Sequence, residues 1–147
     1  MLYFHGGGLI FGSRNDLPTE YIELFLNNGV GVIAVDYPLA PTYNTDEIIY
    51  FSQQITEWFV DYCDTNDLHV PYYIFGRSAG GFLALHADLH AQTLDVKPEG
   101  LILLYSYFNL NDAAFSVQSR YYHQDPVANQ MIIQKLMKQA ESTLTQG

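Results

Sequence analysis

The chain has 147 residues, 48% hydrophobic and 15% charged, enough for one domain with a buried core and too apolar for a disordered segment. Sixteen acidic against six basic residues give a net charge of −10, which argues against a phosphate-tracking surface for nucleic acid or anionic membrane. The single cysteine, Cys63, excludes an internal disulfide framework and a thiolate metal site, and no stretch approaches the roughly 18 apolar residues that span a bilayer.

Leu2 to Phe4 reads as a short strand that runs into His5-Gly6-Gly7-Gly8. The N-terminus lacks a basic stretch ahead of an apolar one, so a soluble, cytoplasmic chain is the expectation. Asp16 and Thr19 are helix-start candidates around Pro18, Ile22, Phe25 and Leu26 form an apolar stripe, and Gly29 closes the helix. The β-branched run Val30 to Val35 reads as a buried strand. Asn44 with Glu47 resembles a capping box, and Ile48, Phe51, Ile55, Trp58 or Phe59, and Tyr62 follow at helical spacing. Cys63 falls on that stripe and reads as an inert core thiol. Tyr72 to Phe75 is a strand ending at Gly76. Ser78 to about His90 is helical with Phe82, Leu85 and Leu89 on one face, and Gly100 to Tyr105 is a further strand. Asp125-Pro126 opens a last helix, about 126–143. Strands alternating with helices predict an α/β fold: a parallel sheet of about four strands with helices on both faces.

Two motifs sit where strands end. Gly76-Arg77-Ser78-Ala79-Gly80 fits G-x-S-x-G at a strand-to-helix junction, the context a nucleophile elbow requires. There the turn is so sharp that the serine takes a strained backbone, and the flanking glycines avoid side-chain clashes. The plain alternative is a serine N-cap with ordinary turn glycines. His5-Gly6-Gly7-Gly8 would let backbone N–H groups approach a ligand, as in an oxyanion hole. Alone it is a flexible loop or a phosphate loop, and the Lys-Ser/Thr ending of a Walker A motif is missing.

With HGGG at 5–8, Asp36-Tyr37-Pro38-Leu39-Ala40-Pro41 and GRSAGG at 76–81, the sequence resembles the hormone-sensitive-lipase-like (fold-3) esterases of the α/β-hydrolase superfamily. The family usually reads D-Y-R-L-A-P-E and G-D-S-A-G-G; here Pro38, Thr42 and Arg77 depart from it. The resemblance implies a partial α/β-hydrolase domain over 1–147, with 1–106 as core and 107–147 as a cap-region segment. The family's first two and last two strands are expected to be missing. It implies Ser78 as the catalytic nucleophile, the amides of Gly7, Gly8 and Ala79 as oxyanion hole, and His5 as a structural residue of the loop motif with Gly6, Gly76 and Gly80. It implies a small-molecule ester as substrate and no metal or cofactor.

A serine hydrolase also needs a base and an acid, in the chain order Ser, acid, His. His86 and His90 lie about 12 and 18 Å along the helix from Ser78, too far for proton transfer. They read as structural or surface histidines, since H-x-x-x-H without the glutamate of H-E-x-x-H is a weak zinc signal. His123 is the only in-chain substitute base, with Asp112 or Asp125 as its acid; the segment lacks the expected strand before each, and its plainer reading is a polar loop before a capped helix. The competing functions are a catalytically inactive truncated chain that binds acyl ligands or folds with a complementing fragment, and a serine peptidase on the same fold. A sheet with two unnatural edges also predicts marginal stability and self-association.

Overall fold

The computed structural model describes residues 1–68 and 70–110, with Lys135 and Lys138. The chain divides into two compact units, Met1–Tyr107 and Phe108–Gly147. In the first, β1 (Leu2–Phe4), β2 (Ile33–Val35), β3 (Tyr73–Arg77) and β4 (Gly100–Leu104) form one parallel sheet in the order β2-β1-β3-β4. The helices α1 (Thr19–Asn27), α2 (Thr45–Thr65) and α3 (Ala79–Ala91) connect them, with a short 3-10 turn at Arg14–Asp16. The expected helix at about 126–143 lies outside the described residues, apart from Lys135 and Lys138, which are helical.

β1 lies inside the sheet, and Leu2, Tyr3 and Phe4 have no exposed surface. Because successive side chains point to opposite faces, Leu2, Phe4 and Ile74 join the core beneath α2 and α3. Tyr3 and Phe75 join a second cluster with Leu17, Ile22 and Phe25. The predicted parallel sheet with helices on both faces is therefore the observed one. The expected strand from Val30 narrows to Ile33–Val35, because its partner β1 offers only Leu2–Phe4 for pairing.

Helix ends follow the sequence closely. Asn44 and Glu47 form a full capping box: Asn44 Oδ1 accepts from the Glu47 amide at 3.0 Å and Glu47 Oε2 from the Asn44 amide at 2.8 Å. Gly29 ends α1 with φ +75°, a conformation that suits glycine. α1 starts at Thr19 after Pro18, without a side-chain cap, so Asp16 is not its capping residue.

The seams between helices differ more from expectation. On α2 the buried residues are Ile48, Ser52, Thr56 and Phe59, whereas Trp58 and Tyr62 are exposed. Ser52 and Thr56 are buried without penalty because their hydroxyls donate to the carbonyls of Ile49 and Ser52, at 2.7 and 2.8 Å. On α3 the buried face runs through Gly80, Gly81, Ala84, Ala87 and Ala91 as well as Phe82 and Leu83, and Leu89 is exposed. Small residues allow α3 to lie close to both the sheet and α2. Leu26 of α1 is likewise exposed. Cys63 is half-buried beside the larger core, and burial pushes its thiol up.

His86 packs edge-on against Phe82, with ring centroids 4.6 Å apart, and burial lowers its pKa from the ordinary 6.5. The unfolded chain therefore binds this proton more tightly than the folded one. The stability present at neutral pH is lost as pH falls below about 6.5, down through the lowered folded value. Thermal melts between about pH 7.5 and pH 5.5 are expected to show a smaller acid-induced fall for His86→Gln than for the natural chain. Equal falls would mean that His86 carries none of the linkage.

Candidate active site

The parallel register of β1 and β3 pairs Phe4 with Gly76. Two residues further along each chain stand Gly6 and Ser78, so the register brings the glycine loop beside the serine. A Cβ placed on Gly6 would lie 3.3 Å from the Arg77 carbonyl oxygen and 3.5 Å from Ser78 Cβ. The two sequence motifs are thus neighbours in space.

Ser78 joins β3 to α3 with φ 53° and ψ −122°, a left-handed conformation that L side chains rarely adopt. Its main chain is anchored on both sides. The Ser78 amide donates to the Leu104 carbonyl at 2.9 Å, and its carbonyl accepts from the amides of Gly81 and Phe82 at 3.0 and 3.3 Å. Its side chain makes no capping bond to α3, which removes the N-cap reading, and the residue is half-buried. As the first residue of α3, Ala79 has no carbonyl one turn back to receive its N–H.

The flanking glycines are required by packing. A Cβ on Gly76 would strike the Gly80 carbonyl, and one on Gly80 would strike the carbonyls of Phe4 and His5. Gly76 therefore serves the turn itself. Gly80 serves a different contact, the close approach of α3 to the end of β1.

In the loop after β1, successive carbonyls are each held. The Tyr37 hydroxyl donates to the His5 carbonyl at 2.7 Å. The His5 ring, stacked on Tyr37 with centroids 4.2 Å apart, lies with Nδ1 2.7 Å from the Gly6 carbonyl. A carbonyl only accepts, so this bond requires the proton on Nδ1. The Gly7 carbonyl accepts from the amides of Ile10 and Phe11, both at 3.1 Å. In a trans peptide the N–H points opposite to the C=O. The amides of Gly7 and Gly8 therefore point away from these tethers, and no hydrogen bond among the described residues occupies them. Their φ values of +116° and +65° suit glycine, and a Cβ on Gly7 would overlap the Phe11 carbonyl.

Three contributors escaped the sequence reading. Asp16 accepts from the Tyr3 hydroxyl at 2.7 Å and from the Gly6 amide at 3.3 Å. Tyr37, noted only as part of a motif, holds His5 by stacking and by its buried hydroxyl; burial, then the Asp16 charge, pushes that phenol up, so it remains a donor. Arg77 donates to the Asp16 carbonyl at 3.2 Å and to the Tyr105 hydroxyl at 2.6 Å. None of the three bears a signal of its own, because each acts through a fold contact distant in sequence.

The histidines that follow are engaged elsewhere. His90 Nε2 lies 2.6 Å from Glu57 Oε1 and ties α3 to α2, while His86 packs on Phe82. The described residues hold no cluster of three or more His, Cys, Asp or Glu placed to grip a metal ion. Asp112, His123 and Asp125 lie outside the described residues.

The family model of the α/β hydrolase fold matches residues 1–145. The chain belongs to the α/β-hydrolase family. Among curated relatives of this chain is the acetyl esterase of Salmonella choleraesuis strain SC-B67, 29% identical over 121 residues, which are 82% of this chain and 38% of the relative. An α/β-hydrolase superfamily protein of Enterococcus faecalis is 40% identical, with a TM-score of 0.65 over 74% of this chain and 39% of its own. An esterase/lipase from an uncultured bacterium is 25% identical, with a TM-score of 0.65 over 95% of this chain and 44% of its own. The chain thus spans about two-fifths of the length of the relatives it matches.

Gly80→Ala forces a methyl group onto two backbone carbonyls and is expected to cost about 3 kcal/mol, the upper end of the range for overpacking. Gly8→Ala meets nothing within 4 Å and pays only for its positive φ, about 1–2 kcal/mol. Urea midpoints check the order; a Gly80→Ala protein as stable as Gly8→Ala would refute the close approach of α3 to β1.

Proposed function

We propose that this chain carries the acyl-accepting half of a serine carboxylic-ester hydrolase, with Ser78 as nucleophile and the amides of Gly7, Gly8 and Ala79 as oxyanion donors. The observation that supports this most is the left-handed Ser78, its hydroxyl unspent on the helix and its Cβ beside Gly6. Ser78 Oγ forms a bond to the ester carbonyl carbon as its proton passes to a base, and the carbonyl electron pair moves onto oxygen. The oxyanion collapses, the C–O bond to the alcohol breaks, and the alcohol leaves with that proton. Water then repeats the sequence on the acyl-enzyme and returns the free serine. Each oxyanion donor is worth about 3 kcal/mol of barrier. The Salmonella relative is an acetyl esterase by name, which favours short acyl groups as substrates. By sequence position alone, His123 with Asp112 or Asp125 is the base and acid that the sequence itself supplies after Ser78.

The second reading is an acyl-binding chain without turnover. It is favoured by the described histidines, none of which hydrogen-bonds Ser78. A peptidase on the same fold is the third. A fluorophosphonate probe is expected to label the chain at Ser78, located by peptide mass spectrometry, and Ser78→Ala to abolish labelling. Turnover of p-nitrophenyl acetate with none of a p-nitroanilide supports the esterase. A folded chain that takes no label sinks the nucleophile assignment and supports the binding reading.

The outer edges of β2 and β4 pair with no other strand among the described residues. Open edges recruit further strands, so we propose pairing there with a second copy or a complementing fragment. Sedimentation velocity is expected to show association rising with concentration; a monomer throughout would count against it.

A further inference from the structure

Asp16 lies outside both motifs and caps no helix, yet it bonds a residue of each motif, Gly6 and Arg77. One carboxylate oxygen accepts from Tyr3 of β1 at 2.7 Å, and the other from the Gly6 amide at 3.3 Å. Its main-chain carbonyl accepts from Arg77, the residue before Ser78, at 3.2 Å. Arg77 in turn bonds the Tyr105 hydroxyl at the end of β4, at 2.6 Å, with its guanidinium carbon 5.9 Å from the centre of that ring.

The peptide between His5 and Gly6 is thereby held at both ends, its carbonyl by Tyr37 and its amide by Asp16. Gly6 has no side chain to hold it in place, so these two bonds fix the direction in which the loop leaves β1. The next two amides, of Gly7 and Gly8, inherit that direction. Burial, and then the bond to Asp16, pushes the Tyr3 hydroxyl up, so it remains a donor throughout the neutral range.

We propose that Asp16 is a positioning residue of the acyl-transfer site: its carboxylate clamps the Gly6 amide so that the glycine loop is held against the serine turn, and Arg77 braces it from that turn. The part of this that concerns acyl transfer rests on Ser78 being the nucleophile. The clamp itself rests only on the geometry.

The test is Asp16→Asn in the full chain, with two readouts. Tyr3 and Gly6 donate to different oxygens of Asp16, and an asparagine sets a donor NH2 in place of one of them, so in this geometry it cannot accept from both. Amide exchange at Gly6, followed by NMR, is expected to quicken at least about tenfold while exchange within α3 stays unchanged. Fluorophosphonate labelling of Ser78 is expected to slow at least about tenfold, and Asp16→Glu, which keeps both oxygens, to recover part of the rate. For p-nitrophenyl acetate the loss is expected in kcat, with KM little changed, which a general loosening of the fold would not produce. Unchanged exchange at Gly6 overturns the clamp. Quickened exchange with labelling at the natural rate overturns the role in acyl transfer. If the natural chain takes no label, the nucleophile reading fails on its own, and the exchange arm still decides the clamp. If Asp16→Asn does not fold, the natural chain decides: a Gly6 amide that exchanges at least about tenfold more slowly than those of Gly7 and Gly8 supports the clamp, and one that exchanges as fast as they do overturns it.

Discussion

The site depends on how closely α3 approaches the end of β1. Parallel pairing sets Phe4 opposite Gly76, and from there both chains turn out of the sheet within two residues. The carbonyls of Phe4 and His5 lie where a Cβ of residue 80 would be. Only a glycine at 80 lets the helix start so near the strand, and only a glycine at 76 lets the turn be so tight. The strained φ of Ser78 is the consequence: the chain must reverse within one residue, with its amide committed to Leu104 and its carbonyl to Gly81 and Phe82. Those bonds over-determine the serine backbone, which is how a conformation costing about 1–3 kcal/mol persists in a folded protein.

The glycine loop is ordered by a different device. Glycines carry no side chains to lock a conformation, so the loop is fixed through its carbonyls, with Tyr37, the His5 ring and the Ile10 and Phe11 amides as successive partners. His5 is buried and serves here as a donor rather than as a base, since its Nδ1 proton is committed to Gly6. Asp36-Tyr37 thereby gains a physical meaning. Asp36 holds the Arg14 amide at 2.7 Å, while Tyr37 holds His5, so the stretch after β2 supports the loop after β1 from two sides.

What the sequence disclosed and what it hid divide along physical lines. The capping box at Asn44, the glycine stop at Gly29 and the strand-turn-helix around Ser78 depend on residues within a few positions of one another, and these were legible. The buried seams were not. Ser52 and Thr56 read as polar, yet lie fully buried because each hydroxyl bonds a backbone carbonyl one turn back. Leu89 reads as core, yet is exposed, because the sheet takes the alanine face of α3. Asp16 reads as a helix start because it stands two residues before Pro18, where aspartate commonly opens a helix. Its actual partners, Tyr3, Gly6 and Arg77, are brought to it only by the completed sheet.

Arg77 shows how a departure from the family's usual G-D-S-A-G-G is accommodated. A carboxylate at this position would face the Asp16 carbonyl and offer it no donor. The guanidinium instead donates to that carbonyl and to the Tyr105 hydroxyl at once, and it lies against the Tyr105 ring. The acidic group next to the loop is then Asp16 itself, entering from the turn before α1 rather than from the serine turn. A long, forked donor on the strand and a short acceptor on the turn make the two motifs one rigid unit. This arrangement follows from chain geometry: the strand side must span the width of the loop to reach the turn, and arginine is the side chain with both the length and the several donors to do so.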